Sequence, residues 1–152
     1  DEPLIEEAHL DQAVRLVRDE GWDVGTCATP IATSKVRHDP AVVKVARAES
    51  GRALYFSRAG IPFKRDEKPS KEELESAPFL RHVGIYVYRR EALARWVALP
   101  SSALEKLECL EQLRALEDGM QIGVAIVDEA RPGVDTTADI LRIEEILSGT
   151  GG

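Results

Sequence analysis

The sequence predicts an α/β protein, a three-layer sandwich in which helices cover both faces of a mixed, mainly parallel sheet. Amphipathic helical segments alternate with short apolar strands along most of the chain, as in α/β folds. A turn composition between two neighbouring strands predicts a hairpin at 41–56, so the sheet is not purely parallel. Because 152 residues suffice for one domain with a full core, we expect a single domain over 1–147 and a flexible tail at 148–152.

The first half of the chain supplies a helix, a strand and the hairpin. Apolar residues at helical spacing predict an amphipathic helix over Ile5–Glu20, with Leu10, Val14 and Val17 on its buried face and a glycine as its stop. Small and β-branched residues then predict a strand over Trp22–Ile31, which ends at a proline. The hairpin pairs two further runs, Ala41–Ala48 and Ala53–Phe56.

The second half returns to strands and helices after a charged loop. The Pro-, Lys- and Glu-rich composition of Ile61–Ser76 predicts a solvated, mobile connection. Two serines before Ala103 offer an N-cap for a long helix that a glycine closes. The remaining elements follow in order: a strand over Leu80–Arg90, a helix over Glu91–Leu99, that long helix over Ala103–Asp118, a strand over Gln121–Val127, and a last helix from Thr136 or Thr137 to Leu147.

Composition and charge exclude several classes of function. Hydrophobic residues make up 43% of the chain and charged residues 31%, as in globular proteins, and no apolar run is long enough for a membrane helix. The formal net charge of −7 argues against a nucleic-acid partner, which requires a basic face. Cys27 and Cys109 show no metal or disulfide spacing, which fits a reducing, cytoplasmic setting. The chain opens on Asp-Glu-Pro without a secretory signal, and we expect it to be part of a longer chain.

Arg58 is the first candidate for a binding residue. It follows the apolar run Ala53–Phe56 and precedes a glycine and a proline, so it stands where a strand meets a loop. A guanidinium there offers forked donors that suit a carboxylate or a phosphate. The alternative is a surface ion pair with an acidic neighbour, and the local pattern alone favours that alternative.

Two aspartates are candidates for a metal site. Asp1 and Asp135 each lie in a loop beside a predicted strand end, where ligands of α/β sheets bind, and two carboxylates there could hold Mg²⁺. The alternative for Asp135 is a stabilising carboxylate at a helix N-terminus, and the alternative for Asp1 is disorder at the chain end.

A strand and a helix contribute the remaining candidates. His82 and Tyr88 share one face of the strand over 80–90, and either could fill a core or an interface instead of a site. In the predicted helix Ala103–Asp118, three polar residues stand one turn apart and could face a single ligand or form the solvated side: Glu108, Glu111 and Gln112.

The order of seven segments is more specific than any single residue. They are Asp-Glu-Pro-Leu-Ile, Ala-Thr-Pro-Ile, Asp-Pro-x-Val-Val-Lys-Val, Ala-Leu-Tyr-Phe-Ser-Arg-x-x-Ile-Pro, His-Val-Gly-Ile-Tyr-x-Tyr-Arg, Leu-Glu-x-Leu-Glu-Cys-Leu-Glu-Gln-Leu-Arg and Gly-Val-Asp-Thr. From Asp1 to about Leu147 this order closely resembles the 3-deoxy-manno-octulosonate cytidylyltransferases, or CMP-Kdo synthetases. The family's first segment, a strand and a basic glycine-containing loop that grips the nucleotide, has no counterpart here. We therefore expect the later part of a nucleotide-diphospho-sugar transferase-like fold, incomplete at its N-terminus.

The resemblance implies a nucleotidyltransferase of the cytoplasm that couples CTP with the sugar acid Kdo, giving CMP-Kdo and pyrophosphate for lipopolysaccharide synthesis. It implies that Asp1 and Asp135 hold Mg²⁺ as catalytic residues. It also implies a homodimer, for which the hairpin 41–56 is a candidate interface. The residues that it assigns to the sugar-acid pocket are Arg58, His82, Tyr88, Glu108, Glu111 and Gln112, with the choice between the two glutamates left open.

Two alternatives remain at this point. The chain could belong to a cytidylyltransferase for another sugar acid or a phosphonate, because the pattern does not settle the acceptor. It could also be a non-catalytic fragment or a dimerisation module, since the nucleotide-gripping segment has no counterpart.

Overall fold

The computed structural model describes residues 6–66, 68–76 and 78–128 as five strands and six helices. The alternation of helices and strands confirms the predicted α/β class. The last predicted helix and the tail at 148–152 lie outside the described residues. In chain order the elements are α1 (Glu7–Arg18), β1 (Val24–Pro30), α2 (Ser34–His38), β2 (Lys44–Arg47), β3 (Ala53–Ser57), α3 (Lys71–Leu74), β4 (Leu80–Tyr88), α4 (Arg90–Ala98), α5 (Ala103–Glu108), α6 (Gln112–Glu117) and β5 (Ile122–Ile126).

The five strands form one mixed sheet in the order β3-β2-β4-β1-β5. Strands β2 and β3 pair as the predicted hairpin, β2 and β4 are antiparallel, and β1 lies between antiparallel β4 and parallel β5. The prediction of a mainly parallel sheet is therefore wrong for the described residues, where one strand pair of four is parallel. The reason is β4, which enters the centre of the sheet against the direction of β1.

Helices cover both faces of the sheet, which confirms the three layers. On one face α1 packs against β1, β4 and β5, and a small core forms there from Ala13, Cys27, Val83, Ile85 and Val127. On the other face a larger core joins the sheet to α4 and α6, to which Trp96, Leu113 and Ala115 contribute buried side chains. Strand β4 supplies alternate residues to the two cores, as its sequence predicts.

The hairpin also contacts β5, the strand at the opposite edge of the sheet. At its tip the carbonyl of Gly51 accepts the N–H of Val124 in β5 at 2.8 Å, and Arg52 forms a bridge with Gly123. Arg47 in β2 donates its Nε to the carbonyl of Val124 at 2.8 Å. The hairpin thus pairs with β4 at its base and contacts β5 at its tip.

The predicted long helix Ala103–Asp118 is in fact two short helices, α5 and α6. Ser102 caps α5 with a reciprocal capping box to Glu105, and α5 ends at Cys109 in the left-handed conformation (φ 52°, ψ 50°). That turn redirects the chain so that Leu110 is buried, whereas Leu107 is 81% exposed. The two halves therefore present different faces to the sheet, and the predicted single helix is wrong.

The charged segment 61–76 is partly ordered, in contrast to the mobile loop that its composition predicts. Ser70 begins α3 with a capping box to Glu73. The Glu73 carboxylate also pairs with Lys64 at 2.8 Å, and Leu74 is buried. Among the helices of the described residues, none is long and apolar enough to cross a bilayer.

Candidate functional site

Arg58 and His82 belong to one row across the sheet. The register aligns Ser57, Lys44 and Arg81. One residue further on, Arg58 and His82 flank Val43, whose carbonyl accepts the His82 N–H at 2.8 Å. The His82 ring contacts the ring of core residue Phe56, with centroids 5.1 Å apart. Because side chains two positions apart on a strand share a face, Arg58 continues the face of Phe56.

The Arg58 guanidinium is held by backbone carbonyls. Its Nε donates to the carbonyl of Glu108 at 2.8 Å, and Nη1 donates to the carbonyl of Pro40 at 2.9 Å. Nη2 lies 3.4 Å from the carbonyl of Cys109. The guanidinium has no ion pair within the described part of the chain. The alternative predicted for Arg58, a surface ion pair with an acidic neighbour, is therefore not found among the described residues.

The Glu108 carboxylate, which lies at the end of α5, hydrogen-bonds to the same end of β3. One oxygen accepts the hydroxyl of Ser57 at 2.6 Å and the other accepts the backbone N–H of Arg58 at 2.9 Å. The phenol of Tyr55 also acts to lower the pKa of this carboxylate. Burial acts to raise the pKa of Glu108, but these hydrogen bonds outweigh it and hold that pKa below its usual range. Glu108 therefore remains an anion that binds protein donors.

Lys44 is a site residue that the sequence analysis missed. Its side chain is fully buried, and its ammonium donates to the carbonyls of Asp39 at 2.8 Å, of Val42, and of Arg58. Burial lowers the pKa of Lys44 to about 8. A lysine at an inward-facing strand position was the available sequence signal. We call Lys44, Arg58 and Glu108 the strand-end cluster.

His82 is neutral and bound through one ring nitrogen. Burial, and to a smaller degree the Arg81 cation, lower the pKa of His82 to about 3. Its Nε2 lies 2.8 Å from Oγ1 of Thr26 in β1. At neutral pH the imidazole can therefore donate from one nitrogen and accept at the other.

Aromatic rings continue this face of β4 from His82. Tyr86 lies between His82 and Tyr88, with ring centroids 5.2 and 6.0 Å apart, and both tyrosines contact Trp96 of α4. Burial, followed by the charge of Glu111, raises the pKa of Tyr88 to about 12. The half-buried phenol of Tyr88 is thus a hydrogen-bond donor at neutral pH.

The three polar residues from the predicted long helix do not act as one group. The break at Cys109 leaves Glu108 turned to the end of β3, while Glu111 is exposed and Gln112 is 2% exposed. The expectation that all three stand one helical turn apart is wrong, because they lie on two helices. Glu111 still acts electrostatically on Tyr86 and Tyr88, so the start of α6 approaches these rings as α4 does.

The predicted metal ligands Asp1 and Asp135 lie outside the described residues. Within 6–66, 68–76 and 78–128, no group of three or more His, Cys, Asp or Glu side chains could hold a metal ion. The described residues therefore do not test the predicted metal site, and those predicted for the sugar-acid pocket all lie among them.

Comparison with known proteins identifies the family of this chain. A family model described as cytidylyltransferase matches residues 1–122. The chain belongs to the cytidylyltransferase family. Its elements from α1 to the start of β5 therefore lie within the matched range.

Curated members of the cytidylyltransferase family match nearly the whole chain. The chain is 44% identical over 147 residues to a 3-deoxy-manno-octulosonate cytidylyltransferase of Koribacter versatilis, covering 97% of this chain and 53% of the relative. It is 44% identical over 152 residues to the enzyme of the same name from Syntrophotalea carbinolica, covering 98% and 61%. The chain thus spans about half to three fifths of the length of these relatives.

A solved structure shares the cytidylyltransferase fold of this chain. It is that of a CMP:2-keto-3-deoxy-manno-octonic acid synthetase complexed with CTP, with a TM-score of 0.83 and 34% sequence identity. The match covers 99% of this chain and 59% of the solved chain. This likeness confirms the predicted fold class, an α/β fold with an open mixed sheet.

Proposed function

We propose that the protein carrying this chain couples CTP to Kdo, releasing pyrophosphate and forming CMP-Kdo for lipopolysaccharide synthesis. The anomeric hydroxyl oxygen of the sugar acid attacks the α-phosphorus, the bond from that phosphorus to the pyrophosphate oxygen breaks, and the hydroxyl loses its proton. Positioning and charge neutralisation supply most of the acceleration in such a transfer. The activity for which the curated relatives are named, and the CTP bound to the similar synthetase, support this choice of substrates.

The observation that carries the proposal is the cationic end of β3. Arg58 and buried Lys44 meet there, and their hydrogen bonds run mainly to neutral carbonyls. Among the charged groups that act on one another at this end of β3, three are cations (Lys44, Arg58 and Arg37) and two are carboxylates (Glu108 and Asp39), so one positive charge is in excess. A bound carboxylate would balance that charge.

We assign different roles to the two glutamates. Each oxygen of the Glu108 carboxylate accepts from a protein donor, so we propose that Glu108 positions Arg58 and does not contact the substrate. Glu111 is exposed beside the tyrosines of β4, and we propose that it accepts a sugar hydroxyl. We propose that His82 and Tyr88 complete the pocket together with Gln112, which is buried at the start of α6.

We retain the proposal that Asp1 and Asp135 bind Mg²⁺, since carboxylates are the ligands this hard cation prefers. The ion would neutralise charge on the phosphate oxygens when bound. An Asp135→Ala variant of the full-length protein is expected to lose turnover while keeping its affinity for Kdo. Near-normal turnover at saturating Mg²⁺ would reject this assignment.

Pyrophosphate release from CTP, measured with a panel of sugar acids and phosphonates, tests the proposed reaction in the full-length protein. We expect release with Kdo, together with CMP-Kdo as the second product. Release only with another acid would instead identify the first alternative, a cytidylyltransferase for a different acceptor.

Calorimetric titration with CTP and Mg²⁺ tests the second alternative, a non-catalytic fragment or dimerisation module. The full-length protein is expected to bind the nucleotide. Absence of binding in that form would favour the module and contradict the proposed enzyme.

We also propose a homodimer that forms through the hairpin 41–56. Leu54 on edge strand β3 is 50% exposed and gives this hairpin an apolar contact point. Sedimentation at micromolar concentration is expected to show a dimer that Leu54→Glu weakens, whereas Leu93→Glu on α4 serves as the matched control.

The two unpaired thiols, Cys27 and Cys109, agree with a cytoplasmic location.

A further inference from the structure

Thr26 connects an irregularity of the sheet to the candidate site. The register between β1 and β4 shifts between Thr26 and Cys27, so that Thr26 aligns with Tyr86 and Cys27 with Val83. Two residues of β4 are therefore extra at this point, a bulge that interrupts the regular ladder. The fully buried Thr26 side chain lies at this bulge.

The Thr26 hydroxyl has two kinds of partner there. Its Oγ1 lies 2.6 Å from the carbonyl oxygen of Ile85 and 3.3 Å from that of Val83. The same oxygen lies 2.8 Å from Nε2 of His82. A hydroxyl has one proton to donate and two lone pairs to accept with.

The position of that proton determines the state of the imidazole. Two oxygens 2.6 Å apart require a proton between them, and a carbonyl has none, so Thr26 donates to Ile85. The His82 nitrogen must then supply the proton of its own contact with Thr26. Because His82 is neutral at physiological pH, the proton on Nε2 leaves Nδ1 with a lone pair.

We propose that Thr26 is a positioning residue that holds His82 in the Nε2–H tautomer, so that Nδ1 accepts a hydrogen bond from a substrate hydroxyl. Within the described part of the chain, no protein hydrogen bond to Nδ1 is found, and His82 keeps partial exposure. The substrate half of this inference rests on the proposed function, whereas the tautomer half does not.

Nuclear magnetic resonance of ¹³C,¹⁵N-histidine-labelled full-length protein tests the tautomer directly, because the imidazole carbon and nitrogen shifts differ between the two neutral forms. The His82 signals are identified by their loss in His82→Gln. We expect Nε2–H in the wild type and in Thr26→Ser, which keeps the hydroxyl. We expect a large Nδ1–H population in Thr26→Val, which is nearly isosteric but cannot accept.

Thr29→Val is the matched control. Thr29 is a buried threonine of the same strand, and its hydroxyl bonds to the carbonyl of Asp128. This variant should keep the wild-type tautomer of His82. An Nδ1–H signal in the wild type, or an unchanged Nε2–H signal in Thr26→Val, would overturn the proposal. The wild-type spectrum decides the first point even if Thr26→Val does not fold.

Steady-state kinetics test the substrate half. We expect Thr26→Val to raise the KM for Kdo roughly tenfold, the equivalent of one hydrogen bond, with the KM for CTP unchanged and rescue by Thr26→Ser. An unchanged KM for Kdo despite a changed tautomer would reject the substrate half alone. A wild-type protein that forms no CMP-Kdo would reject the proposed function and leave the tautomer assignment intact.

Discussion

Arg58 and Glu108 bind each other twice through their main chains and side chains. The carboxylate of Glu108 accepts the backbone N–H of Arg58 at 2.9 Å, and Nε of Arg58 donates to the backbone carbonyl of Glu108 at 2.8 Å. This reciprocal pair joins the end of β3 to the end of α5. The orientation of the guanidinium therefore depends on a residue 50 positions later in the chain.

Glu108→Gln should destabilise the protein, whereas Glu111→Gln should not. Loss of the charged acceptor weakens the bonds from Ser57 and Arg58, at a cost of about 1–3 kcal/mol in the free energy of unfolding. Glu111→Gln, at an exposed position, should change the free energy of unfolding by less than about 0.5 kcal/mol but raise the KM for Kdo. Urea unfolding and initial-rate assays measure the two effects. Equal destabilisation by both variants would contradict the separate roles.

Arg58→Lys should weaken binding of the sugar acid with little effect on CTP. Lysine keeps the charge but cannot reach the carbonyls of Glu108 and Pro40 while also meeting a carboxylate. We expect the KM for Kdo to rise roughly tenfold. Arg52→Lys, at an exposed position of the same hairpin, is the control. An unchanged KM for Kdo would remove Arg58 from the pocket.

Lys44 should make stability rise with pH above about 8. Its pKa is about 8 in the folded protein against an ordinary value of 10.5, so between these values the unfolded chain binds more protons. The contribution of Lys44 to the free energy of unfolding should then increase across this window by up to about 3 kcal/mol, while the raised pKa of Cys27 lowers stability above about pH 9 in the wild type and the variants alike. The charged groups that act on Lys44 are Asp39, Arg58, Glu108 and Arg37.

Urea unfolding at a series of pH values measures this slope by comparison with Lys44→Met. The variant should lack the rise between pH 8 and 10.5, while Lys35→Met, at an exposed lysine of α2, should keep it. Identical slopes in the wild type and Lys44→Met would show that Lys44 does not titrate in this window.

Cys109→Gly should stabilise the junction of α5 and α6. The residue has φ 52°, which costs a side-chain-bearing residue about 1 kcal/mol and costs glycine almost nothing. Its thiol is exposed, so little packing is lost. We expect Cys109→Gly to exceed Cys109→Ala by about 1 kcal/mol in the free energy of unfolding. A lower stability for the glycine variant would argue that the turn is not strained.

The sequence predicted the elements whose pattern is local. The alternation of β4, the turn composition of the hairpin and the apolar run of β5 each depend on neighbouring residues, and each strand was found within a few residues of its predicted bounds. The row that joins Arg58 to His82 was not predicted from these patterns. It depends on a register between strands that only the folded sheet sets.

Three features were not predicted because tertiary contacts override local preference. Helix α1 buries His9, Ala13 and Leu16, whereas Leu10 is 43% exposed, so the expected apolar face was wrong. The close approach of α1 to β1 requires glycine at position 25, since a Cβ there would lie 2.3 Å from the backbone carbonyl of Ala13. The break at Cys109 likewise carries no local signal of glycine or proline. The burial of the Lys44 ammonium is indicated only by the inward-facing strand position of that lysine.

The contact between the hairpin tip and β5 has a consequence for self-association. An exposed strand margin with unpaired amides is a template on which another copy of the chain can add a strand. Here the carbonyl of Gly51 accepts the N–H of Val124, and the Arg47 side chain donates to the carbonyl of Val124. These bonds block the edge of the sheet at that point. Continuous intermolecular β-pairing along β5 is therefore disfavoured.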